Sequence, residues 1–137
     1  MSVVEYGRVS EARSDLKKVL DAASAGTPVT VRRDAERFAV VDADRLRHFL
    51  SFIAPKAEIV NEGGGWVLLF PGLPLAAEGA TLPELCEDAI TVLREYAADW
   101  VDHLRQAPNH RSNWGLVQLV ALSSDEQLME WITGSRD

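Results

Sequence analysis

Residues 9–49 read VSEARSDLKKVLDAASAGTPVTVRRDAERFAVVDADRLRHF, and this stretch decides the fold class. Leu16, Val19, Leu20 and Ala23 follow one another at spacings of three and four, the stripe of an amphipathic helix. Ser10 stands ahead of it as the predicted N-cap, because a serine hydroxyl accepts from the free amides of a first turn. Gly26 supplies the left-handed residue that ends such a helix, with Pro28 just beyond. Val29 and Val31 then alternate with Thr30 and Arg32, which reads as a half-buried strand. Asp34-Ala35-Glu36 is a polar turn, and Phe38–Val41 a second strand, so residues 28–42 predict a hairpin. Asp42 caps a second helix that carries Leu46, Phe49, Leu50 and Ile53 and ends at Pro55.

Outward from this stretch, Val3–Tyr6 predicts a short leading strand. After Pro55, Glu58–Glu62 and Trp66–Phe70 predict two strands around Gly63-Gly64-Gly65, with a third at Leu75–Glu78 closed by Gly79. Thr81 caps the longest helix, with Glu84 three residues on as a capping box and Pro83 tolerated in the first turn. Leu82, Leu85, Ala89, Leu93, Tyr96, Trp100 and Leu104 carry that helix to about Arg105, a length of roughly 36 Å. Two further helices are expected at Trp114–Leu122 and Asp125–Ile132, the last begun by Ser124 with Gln127 as its capping box. The fold class is therefore α+β. A βαββα module over residues 1–54 precedes a small antiparallel sheet packed on a long helix, with a helical tail, over residues 56–137.

Composition bounds the function. The chain of 137 residues carries a net charge of −7, unevenly placed. Residues 1–54 hold nine Lys/Arg against eight Asp/Glu, whereas residues 55–137 hold five against thirteen. Such asymmetry suggests different partners for the two halves. The acidic half suits a basic protein rather than DNA. No apolar run reaches the roughly 18 residues that span a bilayer, so no membrane association is expected. The first residues include Glu5 and Arg8 and no long apolar run, so no secretory signal is expected. The single Cys86 cannot form an internal disulfide, which fits a cytoplasmic location. Its place on the apolar side of a helix reads as a buried thiol rather than a nucleophile.

Enzyme signatures are scarce. There is no P-loop, GxGxxG, HExxH or CxxC. The glycines at 63–65 precede a strand, not the helix a phosphate cradle needs. His48, His103 and His110 have no ligand-like spacing. No catalytic residue, metal site or cofactor is expected. The arginines carry more: Arg8 and Arg13 flank the predicted start of the first helix, and Arg32 and Arg33 close the first hairpin strand. Guanidinium groups bind phosphate bidentately and read guanine in the major groove. On composition alone these residues read rather as solubility charges, because the module is nearly neutral.

The segment from Val9 to Phe49 resembles the N-terminal module of the prevent-host-death (Phd/YefM) antitoxins. The SEAR-type segment corresponds to Ser10-Glu11-Ala12-Arg13, the arginine before the hairpin turn to Arg33 with Arg32 beside it, the glycine after the helix to Gly26, and an Ala-Val pair to Ala39-Val40. The usual glycine of the hairpin turn is replaced by Asp34-Ala35-Glu36. The resemblance covers about residues 3–53. It implies a dimeric or higher-order autorepressor that contacts operator DNA through Arg13 and Arg33, with Arg8, Ser10 and Arg32 in support, and Leu16, Val19 and Leu20 in the module core.

Residues 63–96, GGGWVLLFPGLPLAAEGATLPELCEDAITVLREY, resemble the core of the HicB antitoxins: a strand ending in Phe-Pro, a Leu-Pro turn, Glu-Gly, then Thr-Leu-x-Glu opening a helix. This second resemblance covers about residues 58–105. Together the two imply an antitoxin of a type II toxin–antitoxin system, with a folded half that neutralises a basic toxin. Glu84, Asp88, Glu95, Asp99 and Asp102 run down one side of the long helix as its candidate surface. The alternative for this stripe is a solvated face, and a Mg²⁺ cluster is disfavoured because a straight stripe does not converge. The competing reading of the whole chain is an interaction or inhibitor protein that keeps the fold without binding DNA.

Overall fold

In the computed structural model, which describes residues 3–134, the first predicted helix is two. Helix α1 spans Val9–Ser14 and α2 spans Leu16–Ser24, broken at Asp15, whose φ of −105° and ψ of 23° leave the helical region. The cap of α1 is Arg8, in an extended conformation and without a side-chain capping bond. Ser10 therefore lies inside the first turn, not at its start, and its carbonyl accepts from the Ser14 hydroxyl at 3.0 Å. Tyr6 Oη donates to Asp15 Oδ2 at 3.3 Å, tying the strand before α1 to the break after it.

That strand, β1 (Val4–Tyr6), runs parallel to β2 (Val29–Arg33), and β2 pairs antiparallel with β3 (Glu36–Val40). A parallel neighbour needs a crossover, which α1 and α2 provide. The β2–β3 turn is tight: Arg33 pairs with Glu36 across Asp34-Ala35. Asp34 takes a φ of 54°, a left-handed conformation that aspartate tolerates better than most residues. This is how the hairpin closes where the resembled family has glycine. Helix α3 (Ala43–Ile53) begins under Asp42, whose Oδ1 accepts from the Arg45 amide at 3.0 Å. Arg45 in turn donates to the carbonyls of Ala23 and Ser24 at 3.3 and 2.8 Å, satisfying acceptors that the end of α2 leaves open.

The second sheet is a meander of β4 (Glu58–Glu62), β5 (Gly65–Leu69) and β6 (Ala76–Gly79). Gly63 and Gly64 form its first turn with φ of 61° and 82°, the two positive angles of a type I′ hairpin. Helix α4 (Leu82–Asp99) follows and passes into a π-helical segment, Trp100–Leu104. The helix expected to run to Arg105 thus loosens after Asp99, and the Arg105 amide bonds five residues back to Trp100 at 2.9 Å. A 3₁₀ turn at Arg111–Asn113 leads into α5 (Trp114–Leu122), and α6 (Asp125–Thr133) starts under the predicted Ser124/Gln127 capping box.

The chain divides into two compact units between Leu46 and Arg47. That division falls inside α3, whereas the sequence suggested a boundary near Pro55. The ends of the predicted regions, residues 1–2 and 135–137, lie outside the described residues. In the first unit, Val19 and Val29 are enclosed, with Ala12 and Ala23. Leu16 and Leu20, expected in this core, are each 54% exposed against 2% for Val19. The helix is amphipathic as predicted, but only one edge of its apolar stripe meets the sheet. The second unit buries Leu50, Leu68, Leu85, Leu93, Leu119 and Leu128 almost completely. Arg94 binds its helices together, donating to the carbonyls of Val120 and Ser123 and to Asp125 Oδ1 at 2.5, 2.9 and 2.8 Å.

Candidate nucleic-acid and partner-binding surfaces

In the first unit, Arg8 and Arg13 lie at the two ends of α1, both exposed, with Ser10 exposed between them. Arg32 and Arg33 end β2, also exposed. Side chains alternate across a strand, so the two arginines project from opposite faces. Arg33 Nη2 bonds Glu36 Oε1 at 3.1 Å, and its guanidinium lies 5.2 Å from the Phe38 ring centroid. It is thus held in a defined pose by a carboxylate and an aromatic face. Arg32 stands directly opposite Arg37 on β3, and Arg37 Nη2 reaches Glu5 Oε1 at 3.4 Å. Arg37 escaped the sequence reading. The signal that exposes it is the register of a two-residue turn, which pairs the residues one step out from Arg33 and Glu36.

Counting to the structural boundary, the first unit holds eight Lys/Arg and eight Asp/Glu. Any affinity for phosphate therefore rests on where these arginines stand, not on a net positive field. Beside them, burial and then the Asp15 carboxylate push the Tyr6 phenol above its ordinary value.

The acidic stripe of the second unit divides into two kinds of carboxylate. Glu84 Oε2 accepts from the Ala80 amide at 3.0 Å, while the Glu84 amide donates to Thr81 Oγ1 at 3.3 Å. The capping box is therefore present in a shifted form, reaching back one residue further than the N-cap. Asp88 Oδ2 accepts from the Glu78 amide at 3.0 Å. Asp88 thus fixes β6 against α4, and Glu84 holds Ala80, the residue just after it. The approach is close enough that a Cβ on Gly79 would stand 2.4 Å from the Leu85 nitrogen. Farther along, Glu95 and Asp99 are exposed on α4, and Asp102, in the π-helical segment, bonds His103 Nδ1 at 3.1 Å. The stripe does not continue straight, because the π segment changes the helical phase after Asp99.

Cys86 is buried, and desolvation pushes its thiol pKa up, away from the reactive thiolate. Tyr96 Oη lies 2.9 Å from His110 Nδ1 and accepts from Asn113 Nδ2 at 2.8 Å, a tie that holds the loop before α5. Among the described residues no group of three or more His, Cys, Asp or Glu is placed to hold a metal ion. No described helix is long and apolar enough to cross a membrane.

Comparison with known proteins completes the picture. The structure is similar to the crystal structure of an antitoxin part of a proposed toxin/antitoxin system from Syntrophomonas wolfei subsp. wolfei. The TM-score is 0.74 at 20% identity, over 96% of each chain, which is a likeness of fold. No curated protein matches the sequence. A family model described as PHD_like, antitoxin of toxin-antitoxin, RelE/RelB, TA system, matches residues 3–134 and so runs through both units. The chain therefore belongs to this family of toxin–antitoxin antitoxins, which are regulatory proteins and not enzymes.

Proposed function

We propose that this antitoxin represses its own operon as a dimer, through a Phd/YefM-like first unit, and neutralises a basic cytoplasmic toxin by protein contact through a HicB-like second unit. One observation supports the division of labour above others. The first unit leaves Val9, Leu16, Leu20 and Phe38 exposed beside its arginines over a core of valines and alanines, whereas the second unit encloses a core of six leucines, with Phe49, Phe52, Ile53, Val101 and Trp114 exposed outside it. An apolar face on so small a unit is completed by a second copy, and twofold symmetry matches paired operator half-sites. Arg13 and Arg33 are the principal DNA contacts in this reading, with Arg8, Ser10 and Arg32 in support.

On the acidic side, Glu95, Asp99 and Asp102 are the carboxylates best placed to meet a basic partner. Glu84 and Asp88 act first as positioning groups for β6. The equal numbers of acidic and basic residues in the first unit favour the competing reading, an inhibitor that does not bind DNA. Titration of the chain's own promoter at two salt concentrations separates them. Autorepression requires binding that weakens when Arg13→Ala and Arg33→Ala are combined, by about 1–3 kcal/mol for each base-contacting arginine. Unchanged binding in the double variant removes these residues from the interface, and no binding by the wild type removes the repressor role.

A further inference from the structure

The two edges of the second sheet are finished differently. In an antiparallel pair, alternate residues turn their amide and carbonyl toward the partner strand and away from it. The type I′ turn makes Glu62 and Gly65 the closing pair, so Glu62, Val60 and Glu58 bond β5. Ile59 and Asn61 then face outward. The parity is fixed independently at the other edge. There Glu78, opposite Val67, gives its amide to Asp88 and so faces away from β5. On the β6 edge, the Asp88 carboxylate therefore covers the outward Glu78 amide. The β4 edge has no neighbouring strand among the described residues.

Charge and burial distinguish this edge further. Glu58, Val60 and Glu62 share the outer face of the sheet with Val67, Leu69, Ala76 and Glu78. Val60 and Leu69 are 47% and 44% exposed. The three strands contain three glutamates and no lysine or arginine. An exposed edge with an apolar centre and anionic ends is a template for another strand, and its charge selects which one. Self-pairing with Val60 opposite Val60 would set Glu58 against Glu62 at both ends, and like charges directly opposite are destabilising.

We infer that the β4 edge, through the main-chain groups of Ile59 and Asn61, docks an extended lysine- or arginine-bearing segment of the toxin as a fourth strand. Main-chain bonds supply affinity in such strand addition, and alternate side chains supply specificity. Glu58 and Glu62 pair with cationic side chains two positions either side of an apolar one that covers Val60. The inference rests on the neutralisation reading above and names the surface that performs it.

The test uses the full chain and, as probe, the product of the gene adjoining its own. Asn61→Pro removes one outward donor and leaves the β4–β5 ladder whole. It is expected to weaken the complex about tenfold with an unchanged melting temperature. Glu58→Lys with Glu62→Lys is expected to slow association and invert its salt dependence. In the wild type, the Ile59 and Asn61 amides are expected to gain hydrogen-exchange protection on complex formation. Wild-type affinity in both variants, with the two amides still unprotected, overturns the docking edge while the neutralisation reading stands. Protection of those amides in the chain alone, with Asn61→Pro lowering its oligomeric state, assigns the edge to a second copy and overturns it too. A wild-type chain that does not bind the probe defeats the neutralisation reading and the inference with it.

Discussion

The two units of this antitoxin build their cores from different residues. The second has a leucine core: six leucines reach near-complete burial, Trp131 stacks on Phe70 at 5.7 Å between centroids, and Arg94 ties α5 to α6, while Phe49, Phe52, Ile53, Val101 and Trp114 stay exposed. In the first unit, valines and alanines fill a thin core while leucines and Phe38 stay at the surface. Burial contributes stability roughly in proportion to apolar area removed from water. The second unit thus draws more stability from its own burial, and in the proposed reading the first gains part of its own from a second copy. On the proposed division, a neutralising second unit with a built core needs little ordering on binding, and a repressor unit completed by a second copy would couple DNA affinity to protein concentration.

Substitutions break this contrast most strongly in the second unit. Leu93→Ala, at a position with no exposure, should cost about 2–5 kcal/mol, read as a lowered urea midpoint. Gly79→Ala should cost about 3 kcal/mol, because the added methyl meets the α4 backbone at Leu85 and no flexible side chain can give way. A thermal melt followed by circular dichroism checks it, and a change under 1 kcal/mol would contradict the packing described. Arg94→Ala should cost about 2 kcal/mol, since two carbonyls at the end of α5 lose their donor at a half-exposed site.

In the first unit the same kind of change should behave differently. Leu20→Ala should leave the dilute chain's stability within about 0.5 kcal/mol and lower it more at high protein concentration, where a partner would cover the site. The smallest effect is alkaline. The Tyr6 phenol has a raised pKa in the folded chain, so the stability it contributes is whole below about pH 10. That contribution is lost as pH rises from there through the raised value, observable as a falling melting temperature localised to the first unit.

Much of this was legible in the sequence wherever the determinant was local. Asp42, Thr81, and Ser124 with Gln127 cap their helices as read, because a cap involves residues three apart. The strands at 29–33 and 58–62 follow from alternation and the glycine turn. What escaped was set at longer range. Periodicity shows which face of α2 is apolar, not whether the sheet is wide enough to cover it, so Leu16 and Leu20 were placed in the core. The acidic stripe looked uniform because nothing in the spacing of Glu84 and Asp88 reveals the Ala80 and Glu78 amides they accept from. Arg37 needed the hairpin register, and the shift to π geometry after Asp99 interrupts a pattern that the apolar residues alone continue. The arginines proposed to face DNA were singled out only through resemblance, since charge alone left them indistinguishable from surface residues.

The proposal that the first unit is completed by a second copy is tested most directly by sedimentation equilibrium of the full chain, beside a Leu16→Glu/Leu20→Glu variant, at tens of micromolar. The account predicts a dimer for the wild type and a monomer for the variant, with the melting of the second unit unchanged in both. A monomeric wild type, or a variant that remains dimeric, would contradict it.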